Sequence, residues 1–406
     1  MATSSSRSRI LVLNQYYWPG VEATAHLLTE LCEALAEDYD VEVVTGALHG
    51  HEGLPREEER NSVRIVRVNS TSYERSELAR RAANYFSYLA AALRYVLSKP
   101  APDLVLCMTD PPIVGDLGVV VARRFRAPVI VISQDVFPEI ATELGRLRNP
   151  GLVGVLRSLV GAYLRRADRI VAIGETMRER LEAKGAPRER LLVIPNWVDT
   201  AAIMPQARDN EWARRHGLVS RFVVMHSGNV GHAQDLESLV RAATFLRDLD
   251  DLNVVITGFG ARHAEMLELA RRLEVESTVR FLPYQPRERL PLSLSSADVH
   301  VVGLAKGLAG YVVPSRLYGI LAAGRPVIAA ADETSETARI VAEIGCGIVI
   351  APGKPDLLAR TIRAASEGAY DLAEMGRRGR EYVEREADRS VAMARYRELV
   401  ADLLAA

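Results

Sequence analysis

Cysteine is scarce in this 406-residue chain: Cys32, Cys107 and Cys346 stand alone, with no paired C-x-x-C. That excludes a disulfide framework and a cysteine zinc site, and it fits a reducing compartment. An excess of either charge is also missing. The 51 basic and 52 acidic side chains leave a formal net charge of -1, so the bulk electrostatic footprint of a nucleic-acid binder is absent. No uninterrupted apolar run reaches the ~18 to 20 residues of a membrane span. The opening MATSSSRSR has no apolar core of a secretory signal and reads as a disordered N-terminus over residues 1–9. The expected location is therefore cytoplasmic.

Several chemical signatures are lacking too. The first strand runs into NQYYWPGVEATA, which has one glycine where a dinucleotide fingerprint needs three. There is no G-K-S or G-K-T for a P-loop, no G-x-S-x-G and no H-E-x-x-H. His49 and His51 in LHGHEG read as solvent-facing, and RDLDD at 247–251 reads as a solvated turn, so no metal site is expected.

What the chain does contain is a steady alternation of short β-branched runs with helical patterns. Strands are expected at 10–14, 41–45, 63–68, 104–108, 129–133, 170–173 and 192–194, separated by helices near 22–36, 78–98, 112–125, 151–166 and 175–184. The pattern pauses in IPNWVDTAAIMPQARDN and then restarts with FVVMHSGNVG, NVVITGFG, TVRFLPY, DVHVVGL, PVIAA and GIVIAPG. Alternation of this kind means parallel strands with crossover helices. The reading is an α/β fold of two doubly wound, Rossmann-like domains, at 10–200 and 217–385. A linker at 201–216 joins them, and a C-terminal helix at 386–406 braces the two.

The stretch VVPSRLYGILAAGRPVIAA, residues 312–330, shows how these elements are built. Pro314 stops any helix from upstream, Ser315 suits an N-cap, Leu317, Ile320 and Leu321 fall at helical spacing, and Gly324 suits a left-handed C-terminal cap. Arg316 beside a helix start points to an anion, above all a phosphate. Other strand ends in this half carry matching features. Ser227, Gly228, Asn229 and Gly231 let backbone amides approach an anion, Gly258 is followed by Arg262, Pro283 and Tyr284 offer a flat base an edge and a face, and Lys306 precedes Ala309 and Gly310. Each has a plain reading as a loop; at one end of one parallel sheet they describe a nucleotide-diphosphate pocket.

With these residues in view, the sequence resembles the retaining family-4 glycosyltransferases of the GT-B fold that build bacterial capsule, O-antigen and exopolysaccharide. The resembling segments run in order from LNQYYWPGVEATAHLLTELCEAL through MTDPPIVG, SQDVFPEIATELG, RADRIVAIGETMRERL, VIPNWVD, HSGNVGHAQDLESLV and PYQPRERL to PSRLYGILAAGRPVI. The resemblance implies transfer of a sugar, from a UDP-sugar first of all, to a hydroxyl of a glycan, lipid-linked glycan or small-molecule acceptor, with retention and without a required metal or cofactor. Two glutamates that many relatives carry eight positions apart are replaced here by Tyr311 and Gly319, and the usual phosphate-loop lysine by GHAQD. Gly319 then leaves room for ribose or for Tyr318 to swing. Arg316 and Lys306, with the Ala309, Gly310 and Ser315 amides, take the diphosphate charge. Trp18, Gly20, Glu22 and Thr24 fall on the acceptor side, and Asp135 stands near the transferred sugar or caps the following segment. Residues 75–97 combine Arg75, Arg80 and Arg81 with Tyr85, Phe86 and Tyr88, which suits either an anionic membrane surface or a core helix with a charged outer face. A GT-B epimerase or phosphorylase and a catalytically silent nucleotide-sugar-binding subunit are the alternatives.

Overall fold

The computed structural model describes residues 7–20, 23–51, 53–73 and 78–406. The chain divides into two compact units, one formed by Met1–Pro195 with Met393–Ala406, the other by Asn196–Ala392. The sequence boundaries at 200 and 386 differ from these by a few residues, and 201–216 lies inside the second unit.

The first unit holds an eight-stranded sheet: β1 (Arg9–Leu13), β2 (Asp40–Thr45), β3 (Glu57–Arg60), β4 (Val63–Arg67), β5 (Leu104–Met108), β6 (Val129–Ser133), β7 (Arg169–Ala172) and β8 (Leu191–Val193). Their order is β3-β4-β2-β1-β5-β6-β7-β8, and every pair is parallel except β3 with β4. Strands such as β5 (LVLCM) and β6 (VIVIS) are buried along their whole length, as expected of a sheet covered by helices on both faces. β3 (EEER) escaped the sequence reading because it has no apolar run; it is an edge strand whose charges discourage further pairing. Against the disorder expected over residues 1–9, Arg9 belongs to β1, the Ser8 carbonyl accepts from the Asp40 amide at 3.0 Å and Arg7 donates to the Ala36 carbonyl at 3.3 Å; residues 1–6 lie outside the described residues.

The crossover helices are α1 (Ala23–Leu35), α2 (Leu78–Leu97), α3 (Val114–Phe125), α4 (Glu139–Glu143), α5 (Pro150–Leu164) and α6 (Glu175–Ala183). α5 starts as a helix should: the Asn149 side chain accepts from the Leu152 amide, and Pro150 occupies the first turn.

The second unit has a six-stranded, wholly parallel sheet of β9 (Phe222–Ser227), β10 (Leu252–Thr257), β11 (Val279–Leu282), β12 (Val299–Gly303), β13 (Val327–Ala330) and β14 (Gly347–Ile350), ordered β11-β10-β9-β12-β13-β14. Its helices are α7 (Glu211–Arg215), α8 (Leu236–Ala242), α9 (His263–Arg272), α10 (Leu290–Ser295), α11 (Arg316–Ala322), α12 (Glu336–Ile344), α13 (Pro355–Ser366) and α14 (Leu372–Glu386). The last helix, α15 (Arg389–Ala405), belongs from Met393 onward to the first unit, where Arg397 donates to the Ala34 carbonyl and pairs with Glu37. In both sheets the first strand lies mid-sheet and the winding reverses beside it, between β1 and β5 and between β9 and β12. Ligands of doubly wound sheets bind beyond the carboxyl ends at such reversals. Those two places are where functional residues belong.

Candidate functional site

In the second unit the loops that follow β9, β10 and β12 are tied into one platform. The Gly228 amide donates to the Thr257 carbonyl at 2.9 Å, Val230 to Phe259 at 3.0 Å, Arg262 to Val230 at 2.9 Å and Ala305 to Ala233 at 2.8 Å. Their closeness depends on glycine at Gly258, whose φ is +137° and where a Cβ would overlap the Gly228 carbonyl oxygen. Both facts demand the smallest residue, since φ in that region strains any side chain.

Arg316 lies against this platform. A Cβ built on Gly228, whose φ is +135°, would sit 3.7 Å from Arg316 Cδ, so the guanidinium stem runs along that glycine. Arg316 Nη2 donates to the Gly303 carbonyl at the end of β12 at 3.0 Å, while its buried Nε has no partner among the described residues. No carboxylate pairs with it among those residues, and burial lowers its guanidinium to about 10. The same charge acts on His226, fully buried at the end of β9. Burial first, and then Arg316, hold that imidazole well below its ordinary value, and its Nε2 lies 3.3 Å from the Asn229 carbonyl, to which it donates. A part-buried cation without a counter-charge, at the reversal of a parallel sheet, is arranged to receive an anion.

The first unit presents carboxyl groups at its own reversal. Asp110, just past β5, accepts from Thr24 Oγ1 at 3.1 Å, and its backbone carbonyl accepts from the Gln15 amide at 2.7 Å. The Asn14 side chain accepts from the Asp110 amide at 3.3 Å and donates to the Tyr16 carbonyl at 2.7 Å. Asp135, two residues past β6, is exposed enough to meet solvent, yet the protein packed around it and then the Asp110 carboxylate raise it to about 7. Among the described residues no group of three or more His, Cys, Asp or Glu is placed to hold a metal ion.

Two domain families match the chain. The glycosyl transferase 4-like domain matches residues 22–197, and the glycosyl transferases group 1 domain matches 209–382. Together they span both units. The chain belongs to the family-4 glycosyltransferases of the GT-B fold. It is 26% identical to the probable glycosyltransferase WbjE of Pseudomonas aeruginosa over 80% of this chain and 81% of that one. It is 28% identical to the putative colanic acid biosynthesis glycosyl transferase WcaI of Escherichia coli K12, covering 68% of each. Among solved structures, Anabaena HepE in complex with UDP superposes with a TM-score of 0.77 at 15% identity, over 97% of this chain and 100% of that one.

The residues expected from sequence in this glycosyltransferase fall into distinct groups. Ser227, Gly228, Asn229, Gly258 and Arg316 come together on the platform. Lys306 lies in the loop after β12 and is exposed, and Ala309 and Gly310 follow it buried in the same loop. That loop is pinned where the Gly307 amide donates to Asp332 at 3.0 Å. Ser315 precedes α11 but has helical φ and ψ and makes no side-chain cap, contrary to its reading as an N-cap. Arg262 is compensated: it pairs with Glu237 at 3.3 Å and also with Glu265. Tyr284 is exposed past β11, and Tyr311 is part-buried.

Tyr318 needs correction as a ligand contact, because its side chain is 1% exposed and packs in a core cluster with Leu317, Leu321 and Val383. The helical period that brings Leu317 and Leu321 inward brings Tyr318 with them. A Cβ on Gly319 would meet only Leu294 Cδ1, at 3.8 Å, so the protein itself does not demand glycine there.

On the acceptor side Thr24 meets Asp110, whereas Trp18 is engaged structurally: the Arg60 guanidinium stacks 3.8 Å from its ring and Arg67 donates to its carbonyl at 2.9 Å. Gly20 is buried, its amide donating to the Tyr17 carbonyl at 2.8 Å. Glu22 lies outside the described residues. Sequence reading passed over Asp110 and His226. The one cue for Asp110 was an aspartate before two prolines at a strand end; nothing local marked His226, whose imidazole is held down by burial and then by Arg316, ninety residues on.

Proposed function

We propose that this glycosyltransferase is a retaining, metal-independent enzyme that moves a sugar from a UDP-sugar to an acceptor hydroxyl in polysaccharide assembly. The observation that carries the proposal is Arg316, a part-buried guanidinium at the sheet reversal with no counter-charge among the described residues. As the glycosidic bond lengthens, negative charge grows on the leaving nucleoside diphosphate. A fixed cation aimed there stabilises the transition state more than the ground state. Lys306 is the second cation within the same set of loops, and the Ala309, Gly310 and Ser315 amides are the neighbouring donors. Support for the uridine nucleotide comes from HepE, which was crystallised with UDP and with UDP-glucose. The test is calorimetry of UDP, GDP, TDP, ADP and NAD in chelator, followed by NMR of the product's anomeric configuration. Tight binding of UDP alone and an axial-to-axial or equatorial-to-equatorial outcome are expected. A need for divalent metal or an inverted product would overturn the corresponding part. UDP binding without turnover on any acceptor would favour the silent-subunit alternative.

We also infer a peripheral contact with an anionic membrane surface, made by the first unit. α3 packs between α2 and α5. Outward from these three helices stand Phe86, Leu97, Val120, Leu152, Val155 and Leu159, each exposed. The same helices carry Arg80, Arg81, Arg94, Arg123, Arg124 and Arg157 against one acidic residue, Asp116. Apolar side chains fringed by arginine suit the headgroup boundary of an anionic leaflet, and a lipid-linked acceptor would be met there. Tyr88, grouped with these aromatics in the sequence, instead faces the core and donates to the Val44 carbonyl at 2.9 Å; Arg75 lies outside the described residues. Among the described residues no helix is long and apolar enough to cross a membrane. Co-sedimentation with phosphatidylglycerol vesicles at low salt is expected, weakened by Phe86→Ser with Val155→Ser. Equal recovery with neutral vesicles would remove the electrostatic part of the inference, and no recovery at all would remove the contact.

A further inference from the structure

At the outer edge of the second unit's sheet, beside β11, α7 and the segment leading from β11 into α10 enclose a cavity of about 230 Å³. That is below the ~300 Å³ at which drug-sized ligands begin to fit, so its occupant is smaller than a nucleotide. The base of the cavity is fixed. Trp212, 4% exposed, donates from Nε1 to Gln285 Oε1 at 2.9 Å, and Gln285 Nε2 donates to the Pro283 carbonyl at 2.8 Å. Asn210 holds α7 in place, its Nδ2 donating to the Leu292 carbonyl and to Ser296 Oγ, each at 3.0 Å. Its Oδ1 accepts from the Trp212 and Ala213 amides at 2.9 and 3.1 Å, so what the cavity offers a ligand is side chains, not those helix amides.

The side chains are mostly cationic. Arg215 and Arg289 line the cavity with His216, and Arg280 stands behind them on β11, donating to the His216 carbonyl. Glu211, which pairs with Arg289, is the one carboxylate among the described lining residues. Neither Arg215 nor Arg280 has a carboxylate partner among the described residues. The excess is felt by His216, whose ring lies against Trp212 with centroids 4.4 Å apart: burial first, then Arg280 and Arg215, hold its imidazole below the ordinary value. We propose that this cavity is a second anion site, for the phosphate group of a small ligand. Arg215, Arg280 and Arg289 against Glu211 leave an excess of two positive charges, which a phosphate dianion matches. Guanidinium forks also meet phosphate oxygens in pairs, whereas a single carboxylate would only repeat what Glu211 supplies. The donor platform is elsewhere. Arg316 touches the ends of β9 and β12, and β10 stands between β9 and β11, so the cavity is two strand spacings away, about 10 Å.

The test titrates the full chain calorimetrically with inorganic phosphate, glycerol 3-phosphate and acetate. It is done on the wild type saturated with UDP and on Arg316→Met, so that the donor platform is filled in one sample and disarmed in the other. Phosphate is expected to bind one site in both, and acetate in neither. Made in the Arg316→Met background, Arg215→Gln and Arg289→Gln should each weaken phosphate at least about tenfold, the scale of a lost hydrogen bond to a charged group. Arg215→Lys, which keeps the charge without the fork, should recover part of the affinity. Arg215→Gln should also keep the thermal midpoint of its parent, because that arginine has no carboxylate to lose. Tighter binding of glycerol 3-phosphate than of phosphate identifies a phosphomonoester as the ligand, and the reverse order identifies free phosphate. The site is overturned if phosphate binds neither sample, if Arg215→Gln binds it as tightly as its parent, or if acetate binds as well as phosphate. Failure of the wild type to bind UDP, with phosphate still bound by Arg316→Met and lost on adding Arg215→Gln, would count against the donor reading alone.

Discussion

Arg316→Ala should lower turnover by about 10²- to 10³-fold, the usual cost of removing one fixed donor aimed at developing charge. The expectation follows from what surrounds the guanidinium. It donates to the Gly303 carbonyl, is lowered to about 10 by burial, and among the described residues has no partner for Nε and no carboxylate to compensate its charge. In the proposed function a bound diphosphate would supply the missing charge, and more of it as the sugar–oxygen bond breaks. Two further consequences distinguish this from a structural role. Arg316→Met, which keeps the apolar stem beside Gly228, should leave the thermal midpoint of the free protein unchanged or raised, because replacing an unpaired buried charge removes a desolvation cost. In the same variant the stabilisation that UDP gives the wild type should shrink, since a ligand stabilises only by its affinity for the native state. If Arg316→Met unfolds the free protein or keeps full turnover, the assignment fails.

The second large effect concerns the backbone. Gly258→Ala should destabilise the second unit by about 3 kcal/mol or more, combining the cost of a side chain at φ +137° with overpacking against a backbone atom. The Cβ would overlap the Gly228 carbonyl oxygen, and a carbonyl cannot rotate out of the way as a flexible side chain does. Relief requires the loops after β9 and β10 to part, breaking the bonds from Gly228 to Thr257 and from Val230 to Phe259. Nucleotide binding should therefore fall with stability, even though Gly258 contributes no side chain to any ligand. Chemical denaturation gives the stability change, and calorimetry at a temperature where the variant is folded gives the affinity. As a control, Gly319→Ala should be tolerated, since its Cβ meets only Leu294 at an ordinary contact distance. Equal denaturation midpoints for wild type and Gly258→Ala would show that the loops are not held as described.

Much of this architecture was written locally. The strand LVLCM and its neighbours announce themselves because a parallel strand covered on both faces must be apolar throughout, and Gly324 takes the left-handed conformation, φ +66°, that its place after α11 suggested. Other local cues misled. Ser315 has the composition of a cap but not its conformation, because the chain enters α11 already helical. Tyr318 looked available beside Gly319, but the packing of α11 against the sheet turns it inward. EEER became a strand only because β4 was there to pair with it.

By itself, then, the sequence determined the class of the protein: two doubly wound units, glycine-marked loops at their strand ends, and an arginine set just after a proline-stopped turn. Those features depend on near neighbours, on periodicity, turn chemistry and conformational freedom, which a linear reading contains. The tertiary structure alone decided which charges are compensated and which are not. Arg262 meets Glu237 and Glu265, while Arg316 meets no carboxylate among the described residues; Asp135 is raised by burial and then by Asp110; Gln15 and His49 line one pocket across 34 residues of chain. Compensation is a matter of distance and burial, and both are created only when strands far apart in sequence are laid side by side.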